Sequence, residues 1–300
     1  MILIRRETFD DLPCWRVQTP DAELRIAEQG AQILDYRRHG EPPLLWLSEQ
    51  ARGERGQSVR GGVPVCWPWF GDLARNPAAL LAQYRGAAAP FHGLVRTLPW
   101  ECREQGVVDG VARLLLVCPQ PESGLPGWPQ AVEVALEIRL GARLEIALHS
   151  RNTGPRPVWI SQALHSYFAV GDIRQVRVEG LEGCRYIETL DGWRECRQQG
   201  ALRFAGETDR LYLDLPARLS LVDPLWQRRL CLETRGSRSA VLWNPWIDKA
   251  QRLSQFAADA WQRMLCIETA NVWDDCVELA PGGEHALRLS LWSEPLAGDA

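Results

Sequence analysis

The chain alternates. In AVEVALEIRL, residues 131–140, Val132, Val134, Leu136, Ile138 and Leu140 fall on one side of an extended strand, and Glu133, Glu137 and Arg139 on the other. Gly141 and Ala142 turn the chain, and RLEIALHS returns with Leu144, Ile146 and Leu148 on the apolar side. The pattern predicts a hairpin with one wet face. Short runs of the same kind recur at 111–118, 211–215, 218–222, 229–233, 239–243 and 286–292, separated by Gly, Pro, Asp and Asn. Many strands with turn signals between them, and no alternation of strand with helix, predict an all-β fold, a large antiparallel sandwich with little helix. The one helical pattern lies at 248–264, where Ala250, Leu253, Phe256, Ala257, Ala260, Trp261 and Met264 recur at helical spacing behind Asp248, an expected N-cap. No linker, low-complexity segment or repeat divides the chain, so a single domain over residues 1–300 is expected.

Two apolar runs carry an ionisable group in their middle. If residues 158–170 are extended, Val158, Ile160, Leu164, Phe168 and Val170 share one face. Trp159, Ser161, Ala163, His165 and Tyr167 share the other, which is small, aromatic and polar, as a ligand pocket would be. In MLCIETANV, residues 264–272, Glu268 falls on the face of Met264, Cys266 and Ala270. A buried carboxylate is costly unless paired or hydrogen-bonded, so Glu268 has an Arg or His partner or is poised for proton transfer. A core histidine bonded to a backbone carbonyl and a structural ion pair are the plain alternatives for these two residues.

Composition narrows the field. Apolar residues make up 46% of the 300 and charged residues 24%, enough to build a core. A formal charge of −4 gives no reason to invoke nucleic acid or an anionic membrane. Lys249 is the single lysine, so an anion site here is built from arginine forks. Nine cysteines without a CxxC pair favour a reducing compartment, with Cys66, Cys118, Cys231 and Cys266 acting as small hydrophobes. The opening MILIRRETFD has no signal-peptide core and no stretch reaches membrane-spanning length, so a cytoplasmic protein is expected, and a monomer. Among 14 tryptophans, Trp67, Trp69, Trp243 and Trp246 lie in Pro-flanked, loop-like segments where stacking on a sugar competes with plain packing. No nucleotide loop and no zinc-ligand spacing is present; His39, His149 and His285 read as structural or exposed.

Further polar residues sit among Gly, Pro and aromatics. Arg60 precedes two glycines in VRGGVPVCWPWFG, His92 and Arg96 bracket a glycine in HGLVR, and Asp209 lies in ETDRLY. Taken in order, RGGVPVCWPWFG, HGLVR, ALHSYFAVGDI, ETDRLY, VLWNPW with DKA, and MLCIETANV resemble the hexose-6-phosphate mutarotases, the phosphosugar branch of the aldose 1-epimerase family. The resemblance spans roughly residues 58–275. It implies a galactose mutarotase-like β-supersandwich that interconverts α and β anomers of a 6-phosphorylated aldose, without metal or cofactor. It assigns the catalytic acid to His165 and the catalytic base to Glu268. Sugar-phosphate contacts fall on Arg60, Arg96 and Asp209, with His92 helping to position the sugar. One position departs from the pattern: the residue before HG, often a substrate-binding glutamine, is Phe91. The charge states expected from the unperturbed values are an ionised Glu268 and a His165 drawn toward protonation by that carboxylate. A carbohydrate-binding module, a hydrolase using Asp209 with Glu268, and an epimerase of unphosphorylated aldoses are the competing readings.

Overall fold

The computed structural model describes residues 1–121 and 124–296. Its two largest sheets hold nine and eight strands and are antiparallel throughout. In the nine-stranded sheet the expected hairpin stands at the centre of a run of neighbours: Val132–Leu140 pairs Leu144–Asn152, and Val111–Val117 and Glu284–Pro295 flank them. Strands Arg218–Asp223 and Arg228–Arg235 extend the same sheet. Along Val132–Leu140 every second residue is buried while Glu133 and Arg139 face water, as the alternation dictates. A four-stranded meander, Leu3–Phe9, Leu12–Gln18, Ala22–Ala27 and Ile33–Arg38, precedes both large sheets in the chain. Among the described residues no helix is long and apolar enough to cross a membrane.

The eight-stranded sheet positions the site. Its order runs Arg194–Arg197, Arg185–Glu188, Thr208–Leu213, Ser239–Asn244, Met264–Asn271, Gln162–Leu164 and Val65–Cys66, with Tyr167–Ala169 also on Met264–Asn271. The two faces of this sheet have different fates. Tyr212, Leu242, Leu265 and Ile267 join the large core, which also takes Leu136, Leu148 and Leu289 from the nine-stranded sheet. On the opposite face Leu211, Leu213, Val241 and Ala270 form a separate, smaller apolar cluster. Period-two geometry therefore sends neighbouring residues of one strand either into the core or toward the cavity described below.

Two expectations change. Residues 248–264 do not form one helix. The chain makes a single α-turn at Trp246–Ala250, with Pro245 rather than Asp248 at the N-cap position, then a 3₁₀ turn at Ala260–Arg263, and Met264 already begins a strand. Tertiary contacts override the local pattern: Phe256 packs on the Trp46 ring, and the Gln255 side chain accepts from the Arg52 N–H and donates to the Ser58 carbonyl. The 158–170 segment is likewise not one strand. Val158–Ile160 pairs Val277–Leu279, whereas Gln162–Leu164 and Tyr167–Ala169 both pair Met264–Asn271. Between them the His165 N–H donates to the Pro64 carbonyl and the Ser166 N–H to that of Leu164.

Close backbone approach explains two glycines beside the candidate residues. Gly62 has φ +65°, and a Cβ there would lie 2.0 Å from the Ile33 carbonyl oxygen. Gly93 has φ +83° and would meet the Trp67 carbonyl oxygen at 2.1 Å. Both glycines admit neighbouring backbone, not a ligand. Gly93→Ala is expected to lose about 2 kcal/mol or more of folding stability, read from the urea midpoint; an unchanged midpoint would mean the His92 loop re-seats without strain.

Candidate functional site

Strand register brings the two ionisable groups together. Gln162 opposes Asn271, Leu164 opposes Thr269 and Tyr167 opposes Cys266, the same antiparallel register on either side of the unpaired His165 and Ser166. That register sets His165 directly across from Glu268, cross-strand neighbours although a hundred positions apart in sequence. The His165 Nε2 lies 3.4 Å from the Glu268 Oε1. Both are buried, with 6% and 2% of their surface exposed. The His165 Nδ1 and the Glu268 Oε2 have no hydrogen-bond partner among the described residues.

The same register lays out the neighbours. Leu211 pairs Val241, which pairs Glu268, and one row over Asp209 pairs Trp243, which pairs Cys266. Leu211, Val241, Glu268, Asp209 and Trp243 from these rows line a cavity of about 740 Å³, a size typical of small-molecule sites, with Cys266 buried behind them. All six expected site residues, His165, Glu268, Arg60, His92, Arg96 and Asp209, line it. Arg60 donates to the Tyr167 hydroxyl at 3.3 Å, and Tyr167 in turn stacks on His165, ring centroids 4.9 Å apart and planes within 10°. The Arg96 Nε is buried without a partner among the described residues. His92 accepts a hydrogen bond at Nδ1 from the Gly71 N–H, 3.1 Å. That bond leaves its proton on Nε2, a neutral ring with one donor.

Burial and like charge set the protonation of this cluster. His165 is held well below the ordinary histidine range, first by burial and then by the Arg96 and Arg60 guanidinium groups. His92 moves the same way through burial, with His165 and Arg96 adding to it. Glu268 is pushed well above the usual carboxylate range by burial and by Asp209, against the pull of Arg96. Asp209 also rises through burial, opposed by Lys249, whose Nζ is 3.8 Å from its Oδ2. The expectation that Glu268 draws His165 toward protonation is therefore corrected. Burial and two arginines outweigh the single carboxylate.

The sequence reading missed several cavity residues. Lys249 also pairs Glu207 at 3.0 Å and lies over the Trp243 ring. Trp193 and Trp273 stack at the wall, centroids 5.7 Å apart, with the Arg75 guanidinium over Trp193. Both tryptophans adopt left-handed backbone, φ +60° and +58°, as do His92 and Gln255 on the same cavity. A signal for such wall residues is hard to find in a single chain, because they come from loops. Of the four tryptophans expected in loop-like segments, Trp67 and Trp69 are fully buried packing residues, Trp243 instead stands on the strand Ser239–Asn244 and lines the cavity, and Trp246 instead opens the α-turn and packs on Trp261. Phe91 is 64% exposed at the cavity rim with its ring edge against His92. An apolar ring thus stands where a glutamine amide was expected. The other histidines are occupied elsewhere: His149 faces Glu137, His285 bonds Asn271, and His39 bonds the Pro20 carbonyl. All nine cysteines are free.

Comparison with known proteins identifies the family and the fold. The family model for aldose 1-epimerase matches residues 13–292. A protein of Escherichia coli K12, provisionally named glucose-6-phosphate 1-epimerase, is 33% identical over 271 residues, 89% of this chain and 86% of its own. A Salmonella typhimurium protein with the same provisional name is 32% identical over 244 residues, covering 81% and 78%. Among solved structures, a protein of Salmonella typhimurium provisionally described as a mutarotase superposes with a TM-score of 0.87 at 29% identity, covering 98% of this chain and 94% of its own. With the match spanning nearly the whole sandwich and the cavity floor, the chain belongs to the aldose 1-epimerase family.

Proposed function

We propose that the protein interconverts the α and β anomers of a hexose 6-phosphate, glucose 6-phosphate being the first candidate, by general acid–base ring opening. The observation that carries the reading is the cross-strand pair, His165 Nε2 and Glu268 Oε1 3.4 Å apart on a cavity also lined by two arginines. The provisional names of the relatives point to the same substrate.

Anomerisation needs two proton movements. The Glu268 carboxylate takes the proton of the C1 hydroxyl while the His165 imidazolium gives one to the ring oxygen O5. The C1–O5 bond breaks and an aldehyde forms. Rotation about C1–C2 presents the other carbonyl face, and both protons then return, closing the opposite anomer with the enzyme unchanged. The pair carries one proton in total, and burial favours its uncharged arrangement, carboxylic acid beside imidazole. Substrate shifts this balance. A phosphate dianion on Arg60 and Arg96 offsets the two guanidinium charges that add to burial in holding His165 down, and sugar hydroxyls solvate the Glu268 carboxylate, which together favour the proton on the imidazole. Asp209, held by Lys249, accepts from sugar hydroxyls, and the His92 Nε2–H donates to one.

Magnetisation-exchange NMR on equilibrated glucose 6-phosphate is the direct measurement. The wild type is expected to accelerate α–β exchange, and His165→Ala and Glu268→Gln each to slow it by roughly 10²–10⁴-fold. No acceleration for any 6-phosphohexose would overturn the reading. Arg60→Ala and Arg96→Ala are each expected to raise KM for the phosphosugar about tenfold or more, the worth of a charge-assisted bond, and to change that for the free hexose much less. Equal losses on both sugars would detach the arginines from the phosphate.

Stability against pH reads the proton inventory. The raised Glu268 pKa gives a contribution fully present below about pH 4.5 and lost as pH rises toward neutrality. The lowered His165 and His92 values act oppositely: their contribution is present above about pH 6.5 and lost as pH falls. Glu268→Gln removes the first effect, so its urea stability relative to wild type should improve as pH rises from 5 to 7. A pH-independent difference would mean Glu268 titrates normally in the fold.

A further inference from the structure

The proposed reaction leaves one buried group at its centre unused. Cys266 precedes Glu268 by two residues on Met264–Asn271, so both project from the same face of the strand. It is fully buried and in no disulfide. A ring nitrogen of His165, the Cys266 Sγ and a carboxylate oxygen of Glu268 lie within 4.8 Å of one another. The 3.4 Å between His165 Nε2 and Glu268 Oε1 does not make an aligned hydrogen bond, but it matches the edge of a tetrahedron. Nitrogen and oxygen ligands bonded at about 2.1 Å to a tetrahedral zinc ion are separated by about 3.4 Å. The second Glu268 oxygen is buried with no partner, an acceptor waiting for one.

We propose that His165, Cys266 and Glu268 form a three-ligand site for a soft divalent cation of the zinc class, mutually exclusive with sugar. Thiolate and imidazole select zinc or cadmium over magnesium or calcium. Binding releases the thiol proton to solvent, and thiolate plus carboxylate then balance the two charges of the ion, with Asp209 adding attraction and Arg60 and Arg96 opposing it. His165 and Glu268 line the cavity, so the fourth vertex opens into it. The ion occupies the atoms that ring opening uses, so zinc is an inhibitor that competes with the phosphosugar. The inhibition rests on the mutarotase reading; the binding does not.

Cobalt(II) titration of the intact protein, compared with Cys266→Ser and Cys266→Ala, separates the two. The expected result is a thiolate-to-cobalt charge-transfer band with tetrahedral visible absorption, displaced by zinc and by glucose 6-phosphate and lost in both Cys266 variants. In the exchange assay zinc should slow the wild type. Either Cys266 variant should keep its metal-free exchange and need about tenfold or more zinc for half inhibition. A band and zinc sensitivity that survive unchanged in the Cys266 variants, or no band at all, would overturn the site. Should neither Cys266 variant fold, His165→Ala decides: loss of the band supports the site and an undiminished band removes it. If the protein exchanges no anomers, the cobalt spectrum still reports on the three ligands, so the two proposals fail separately.

Discussion

The whole arrangement hangs on keeping an imidazole and a carboxylate out of water within reach of each other. Desolvation opposes a charge on either, which is why their affinities for a proton converge from opposite directions. Such a pair is expensive to bury and is stable only when one proton serves both. The fold supplies the means in its hydrogen-bonded register. Gln162–Leu164 and Tyr167–Ala169 pair one strand, and the two residues between them inherit their position from that pairing. Rigid backbone, rather than a flexible loop, sets the separation of the reacting groups.

Charge is distributed around this pair with some economy. Two arginines face it, one tied to the Tyr167 hydroxyl and one with a buried guanidinium nitrogen unsatisfied. Both push the histidine toward its neutral form while no anion is present. The arrangement couples anion binding to acidity without a moving part, since an anion on the arginines changes the field at the imidazole directly. On the far side Lys249, the only lysine of the chain, holds Asp209 and covers Trp243.

Much of the fold was readable because alternation is strict where one face meets water. Glu133 and Arg139 announce the Val132–Leu140 strand, and its hairpin partner follows from Gly141. His165 and Glu268 were visible for the complementary reason: an ionisable group in an apolar strand has few explanations. Their adjacency was not, since no local pattern states which strands pair. The failed helix at 248–264 shows the other limit. Phe256 and Trp261 recur at helical spacing but are buried by different neighbours, Trp46 and Trp246, reached only if the chain turns between them. The cavity roles of Trp193, Trp273 and Lys249 were not visible because residues outside the strands acquire meaning only from what lies across the cavity. The protonation of His165 is not legible in the sequence because it is set by burial and then by two arginines from other segments, not by the neighbouring carboxylate.

The division between a floor made of sheet and walls made of loops has an evolutionary consequence. Lengthening or exchanging the segments that carry Trp193, Gln255 or Trp273 would reshape what the cavity admits while His165 and Glu268 keep their spacing. A slip of Met264–Asn271 by one position would instead turn the carboxylate into the interior and expose Ile267 in its place. Ligand choice can therefore change at the periphery, whereas an insertion or deletion within Met264–Asn271 would change the face on which Glu268 stands.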